Sequence, residues 1–146
     1  MIREVTVQIE NEPGRVLAVA EALGSAGVDI VALSIADRET SGALRMVVAD
    51  LRAARYVLME LDLPVSVTRV VAVHTPDAPG GLAGVLEPVE RGGVDIRYLY
   101  VFREPQAREA TVVLHTDDNA RVEALLTDAG FELGTEEALA RGGGNG

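Results

Sequence analysis

The chain repeats itself, and the repeat fixes the size of its folded units. Pro13-Gly14 returns as Pro79-Gly80, and Gly27-Val28-Asp29-Ile30 returns as Gly93-Val94-Asp95-Ile96, both 66 residues further on. Between these landmarks the spacing holds, so neither copy has gained or lost a residue there. A period of this length fits one small folded unit, and the chain reads as a covalent pair rather than one larger fold. Units of roughly 60 residues bury only about 60% of their unfolded surface. Two of them are therefore expected to pack together, and hydrophobic residues, 48% of the chain, suffice for two cores. A junction between like units can also create sites that neither unit holds alone.

In the first copy Val5, Val7 and Ile9 alternate with Thr6, Gln8 and Glu10, the period of a half-buried strand. Asn11-Glu12-Pro13-Gly14 breaks it. The apolar period then turns helical through Val16, Leu17, Val19, Ala20 and Leu23, with Gly24 and Gly27 as the stop. Val28 to Ala36 and Ala43 to Ala49 read as strands around a polar hairpin, Asp37 to Gly42. Asp50 is placed to cap a helix through Ala53, Val57, Leu58 and Leu61, and Val65 to Thr68 reads as a short fourth strand. The second copy follows: strand Val70 to Thr75, helix Leu82 to Val89, strand Val94 to Phe102, hairpin Glu104 to Arg108 and strand Ala110 to His115. Asp117 or Asp118 caps a helix through Val122, Leu125 and Leu126, and Phe131 to Leu133 is a last strand. Each half is β-α-β-β-α-β, the ferredoxin-like pattern, and the fold class is α+β. The expected domains are 1–68 and 69–134, followed by a tail over 135–146. Glu136-Glu137 fall in a terminal helix, and Arg141 to Gly146 should be disordered, because glycine runs do not offset their ordering entropy. Pro88, deep in the second copy's first helix, should kink or shorten it by removing a hydrogen bond to Gly84.

Composition excludes several functions. The chain has no cysteine, so disulfides, thiol catalysis and cysteine zinc sites are ruled out. A formal net charge of −10 speaks against nucleic acid, whose phosphates call for clustered Lys and Arg, and 3% aromatic residues leave little for base stacking. No segment approaches membrane-spanning length, and the N-terminus lacks the apolar stretch of a signal peptide, so a cytoplasmic protein with no membrane partner is the expectation. His74 and His115 have too few companion ligands for a metal site, and no serine, histidine and aspartate spacing suggests a nucleophilic triad. Neither catalysis nor a cofactor is called for. Tyr98 and Tyr100 share one face of a strand, either at the junction of the halves or as ordinary strand residues.

The repeated motifs carry what chemistry there is. At Asn11-Glu12-Pro13-Gly14-Arg15-Val16 a strand turns into a helix. Proline gives up an amide that the first turn leaves unpaired anyway, and glycine lets the backbone bend or a ligand approach. The free amides that follow, at the positive end of the helix dipole, form a natural carboxylate site. The second copy, Asp77-Ala78-Pro79-Gly80-Gly81-Leu82, adds one more glycine. Either loop is also readable as a simple β-to-α turn. Asp29 and Asp95 stand at the entry to a strand, where Asp is poorly suited. Such an Asp either closes the turn or accepts a charge-assisted hydrogen bond from a ligand ammonium.

This arrangement of Asn-x-Pro-Gly, helix, Gly-Val-Asp-Ile, strand, hairpin, strand, helix and strand resembles the ACT domain, here as a tandem pair covering Ile2 to Leu133. The resemblance implies two units packed side by side, with antiparallel sheets and the helices on one face. It implies a regulatory module that binds an amino acid between the Pro-Gly loop of one unit and the start of the second strand of the other. One site would join Asn11, Pro13, Gly14, Arg15 and Val16 to Val94, Asp95 and Ile96. The other would join Asp77, Pro79, Gly80, Gly81 and Leu82 to Val28, Asp29 and Ile30. Family members that bind serine often carry Asn where this chain has Asp29 and Asp95. The expected protein is a stand-alone amino-acid sensor acting on a partner enzyme or regulator, with homodimer formation compatible. The alternative is a regulatory subunit or scaffold whose ligand sites are vestigial.

Overall fold

The computed structural model describes residues 1–10, 12–37, 41–103 and 106–143. Eleven elements follow one another: β1 (Ile2–Glu10), α1 (Arg15–Ser25), β2 (Ile30–Asp37), β3 (Ser41–Val48), α2 (Leu51–Glu60), β4 (Val65–Pro76), α3 (Gly81–Arg91), β5 (Ile96–Arg103), β6 (Glu109–Thr116), α4 (Asn119–Asp128) and α5 (Glu136–Gly143). They form two compact units. One comprises Arg3–Thr68 with Leu139–Gly146, the other Met1–Ile2 with Arg69–Ala138.

In the unit built on the first repeat, β3 lies between β2 and β1, antiparallel to both, with Val7 opposite Leu44 and Val5 opposite Met46. The amide of Gln8 donates to the carbonyl of Pro64 at 3.1 Å, which brings the start of β4 alongside β1. The second unit repeats this with β6 between β5 and β4, Val73 opposite Val112 and Val71 opposite Leu114. Leu133 bridges Val73 on the far side of β4. Both units thus have the ferredoxin-like strand order, fourth-first-third-second. The alternation of strand residues and the helical spacing of Val19 and Leu23, or Val85 and Val89, put one apolar stripe of each element against a shared core. In the first unit that core is Val5, Val7, Ile9, Val19, Leu23, Leu44, Met46, Ala54 and Leu58 with Val28. In the second it is Val71, Val73, Val85, Val89, Val112, Leu114, Val122 and Leu126 with Val94.

Register shows where the two copies diverge. Through α1 and β2 equivalent residues lie 66 apart, but from β3 onward they lie 68 apart: Ser41 matches Glu109, and Leu51 matches Asn119. The two extra residues lie in the β5–β6 connection. The N-caps obey the new spacing. Asp50 accepts from the Ala53 amide at 3.0 Å, and Asp118, rather than Asp117, accepts from the Arg121 amide at 3.1 Å. Asp62, at φ 57°, and Gly130, at φ 91°, then close the matching helices.

Four expectations from the sequence are corrected. Val65 to Thr68 and Val70 to Thr75 are one uninterrupted strand, Val65–Pro76, because neither Thr68 nor Arg69 breaks an extended backbone. The segment Phe131 to Leu133 is reduced to a single bridge. Pro88 does not shorten its helix: α3 has the same 11 residues as α1, held by Val85 and Val89, both fully buried. Finally, helix α5 continues through Arg141 to Gly143. Thr135 caps it by accepting from the Ala138 amide at 3.2 Å, Glu136 and Glu137 suit the positive end of its dipole, and Leu139 is buried. Residues 144–146 lie outside the described residues. No helix among those described is long and apolar enough to cross a membrane.

Candidate functional site

The two Pro-Gly loops have the same backbone. Gly14 sits at φ 88° and Gly80 at φ 89°, the left-handed region where a Cβ is penalised, and each serves as the N-cap of its helix without a side-chain cap. Their hydrogen bonds correspond bond for bond. Glu12 N donates to Glu10 O at 2.8 Å and Ala78 N to Pro76 O at 2.9 Å, and the next pairs are Arg15 N to Glu12 O and Gly81 N to Ala78 O. The following amides, at Val16 and Leu17 and at Leu82 and Ala83, have no backbone acceptor among the described residues. These are the donors that a helix start leaves for a cap or an anion. Asn11, expected at the first loop, lies outside the described residues.

The entries to β2 and β5 also match. Gly27 and Gly93, at φ 73° and 71°, end the preceding helices, and Val28 and Val94 turn into the cores. Asp29 and Asp95 are exposed. Their carbonyls, not their carboxylates, close the turn, accepting from the amides of Ala49 at 3.0 Å and Asp117 at 3.1 Å. One residue further, the register shifts between Ile30 and Ala32 and again between Ile96 and Tyr98. A bulge re-aims the side chains beside it, and this one occurs twice at the same place. The Asp29 carboxylate has no polar partner among the described residues, whereas that of Asp95 meets Arg97 at 4.0 Å.

Loop and Asp do not meet within a unit. Each helix of 11 residues stands between them, so about 16 Å separates Gly14 from Val28, and Gly80 from Val94.

Side chains that sequence reasoning did not connect make the two loops unequal. The carboxylate of Asp77 is held by Arg103 at 2.7 Å, from the end of β5, and its amide donates to Arg108 O at 3.0 Å. The hydrogen bond to Asp77, then its charge, raises the pKa of the Arg103 guanidinium. A clue lay in the repeat, since Arg103 occupies the position of Asp37 in the first copy. In the first loop Arg15 reaches back to Glu10 at 3.4 Å and Glu12 at 3.3 Å. At the matching position Gly81 leaves no room for a side chain, because a Cβ there would overlap the carbonyl of Pro76, and Thr75 Oγ1 donates to the carbonyl of Gly81 at 2.9 Å. The histidines are structural. His74 Nδ1 lies 3.0 Å from Thr111 Oγ1, and His115 lies 3.2 Å from Asn119 Nδ2 with its ring 5.3 Å from that of Tyr98. No group of three metal-ligating side chains occurs among the described residues.

Two ferredoxin-like units in one chain, each carrying an open-amide loop and an exposed Asp at opposite ends of a helix, define a tandem ferredoxin-like architecture. The chain belongs to the ACT family: the family profile described as an ACT domain pair matches residues 1–141. Its fold is similar to the crystal structure of protein BT0572 from Bacteroides thetaiotaomicron, with a TM-score of 0.87 and 29% identity over 96% of each chain. The regulatory subunit of aspartate kinase from Thermus thermophilus shares the fold at a TM-score of 0.62 and 13% identity, over 88% of this chain and 92% of that one. The corresponding subunit from Thermus flavus does so at 0.54 and 16%, over 87% and 91%. None of the curated proteins compared matches the sequence.

Proposed function

We propose that this chain is a non-catalytic regulatory protein that binds a free amino acid and passes its occupancy to a partner enzyme or regulator. The observation that carries this reading is the duplicated pairing of unsatisfied loop amides with an exposed Asp behind a bulge, neither of which serves the core. In one site the amides after Pro13 and Gly14 take the ligand carboxylate, Asp95 takes its ammonium, and Val16, Val94 and Ile96 face the side chain. In the other, the amides after Pro79 and Gly80 act with Asp29, and Leu82, Val28 and Ile30 play the apolar part. Arg15 and Gly81 make the two sites differ in charge and room. Occupancy acts on a partner only if the ligand discriminates between two states of the protein.

Thermal melting with each of the common amino acids tests the proposal. A true ligand stabilises by RT ln(1 + [L]/Kd), about 2.7 kcal/mol at a hundredfold excess over Kd. For a chain of this size that is a rise of roughly 5–10 °C. The expected result is such a rise with one amino acid or a few related ones. Unchanged melting with all of them at millimolar concentration would overturn the proposal.

A further inference from the structure

Helix α2 borders an arginine-lined groove. Its inner face is given to the core through Ala54 and Leu58, both fully buried. On its flank Arg52, Arg55 and Met59 follow one another at spacings of three and four residues. With Arg3, at the start of β1, they line a cleft of about 600 Å³, and Tyr56, 69% exposed, lines it too. Three guanidiniums thus share one cleft in a chain whose formal net charge is −10. The only carboxylate on its wall among the described residues, Asp50, is engaged in capping the helix, accepting from the Ala53 amide at 3.0 Å. Arg15, Arg91, Arg97 and Arg103 each meet a carboxylate, whereas Arg52 and Arg55 have no ion pair among the described residues. Like charges one turn apart weaken a helix, so folding gives no reason for this pair. Helix α4 has Ala120, Glu123 and Ala124 in place of Arg52, Arg55 and Tyr56, so the chemistry of the cleft belongs to one copy alone.

We propose that this cleft binds a nucleoside di- or triphosphate, its phosphates on Arg3, Arg52 and Arg55 and its base on Tyr56. The planar fork of a guanidinium matches phosphate oxygens two at a time, and such charge-assisted bonds are stronger than neutral ones. Three cations in one cleft call for an anion of comparable charge. A di- or triphosphate carries that charge, and the single carboxylate of an amino acid does not. The volume is that of sites for ligands with an organic body, larger than a bare phosphate chain needs. The exposed ring of Tyr56 supplies the platform for that body, because stacking asks only for a π-face and every base has one. No residue of the candidate amino-acid sites lines the cleft, so the two kinds of binding stand or fall separately.

Isothermal titration of the full chain with ATP, inorganic tripolyphosphate and adenosine, in the absence of magnesium and of amino acids, tests this. ATP should bind in the sub-millimolar range, more tightly than either fragment, and more weakly as salt is added. Arg52→Gln and Arg55→Gln should each weaken ATP binding by about tenfold or more. Tyr56→Ala should weaken it by about fivefold or more while leaving tripolyphosphate unchanged. All three side chains are exposed, so the unliganded melting temperatures should stay at the parent's value. No binding of ATP, binding indifferent to both arginine changes, or ATP held no more tightly than tripolyphosphate would each overturn the proposal.

Discussion

Replacing Leu114 by Ala should cost about 3 kcal/mol of stability. Leu114 lies in the middle strand of its unit, opposite Val71 on β4 and Leu99 on β5, and is fully buried. Val73, Val85 and Val112 in the same cluster are β-branched and stiff at χ1, so they have little freedom to swing in and fill the void. The cavity term therefore adds almost in full to the lost transfer free energy. For a chain of this length each kcal/mol lowers the melting temperature by about 2–4 °C. A drop near 6–12 °C is expected in a calorimetric scan, and a loss below 1 kcal/mol would show that the core is looser than described.

Gly81→Ala should destabilise by about 2 kcal/mol, although helix propensity alone predicts a gain. The added methyl would overlap the backbone carbonyl of Pro76, which cannot rotate away as a side-chain tip would. Relief requires moving the loop or the start of α3, at a cost of about 1–3 kcal/mol or more. Gly84→Ala, one turn on, is the internal control. Its Cβ would meet only Phe131 Cζ at 3.8 Å, an ordinary contact, so this variant should gain up to about 1 kcal/mol. Opposite signs in paired denaturant titrations support the packing argument; two gains would contradict it.

Much of this architecture was readable because it rests on local rules. Val5, Val7 and Ile9 alternate, Val19 and Leu23 are helically spaced, and Asp50 sits at an N-cap, so each element declares itself within a few residues. What escaped depends on contacts between distant positions. The shift in spacing from 66 to 68 falls in a hairpin with no landmark, although the pairs Asp50 with Asp118 and Asp62 with Gly130 record it. Thr6, on the polar side of the alternation in β1, is nonetheless buried, since the pattern of one strand says nothing about what covers its other face. Thr68-Arg69 looked like a break because polar residues interrupt an apolar run, yet nothing in either residue opposes an extended backbone. At the candidate site the loops and the two Asp residues were singled out by their repetition. The hold of Arg103 on Asp77 was not, because 26 residues separate them in the chain. The terminal helix expected at Glu136-Glu137 runs on through Gly143, further than the glycines suggested, with Leu139 buried beneath it.

These contacts also rank the two sites. Asp95 has its amide tied to Asp117 Oδ1 at 3.1 Å and Arg97 beside its carboxylate, while Asp29, with Ala49 in place of Asp117, has neither. Asp29 is therefore the freer of the two carboxylates. Isothermal titration of the parent, Asp29→Ala and Asp95→Ala with the amino acid that raises the melting temperature most tests the central claim directly. Loss of one charge-assisted hydrogen bond is worth about 1.5–3 kcal/mol, so each variant should bind at its altered site at least about tenfold more weakly. Their unliganded melting temperatures should stay at the parent's value, because both side chains are exposed. If both variants bind as tightly as the parent, the ligand is not held between the Pro-Gly loop of one copy and the Asp of the other.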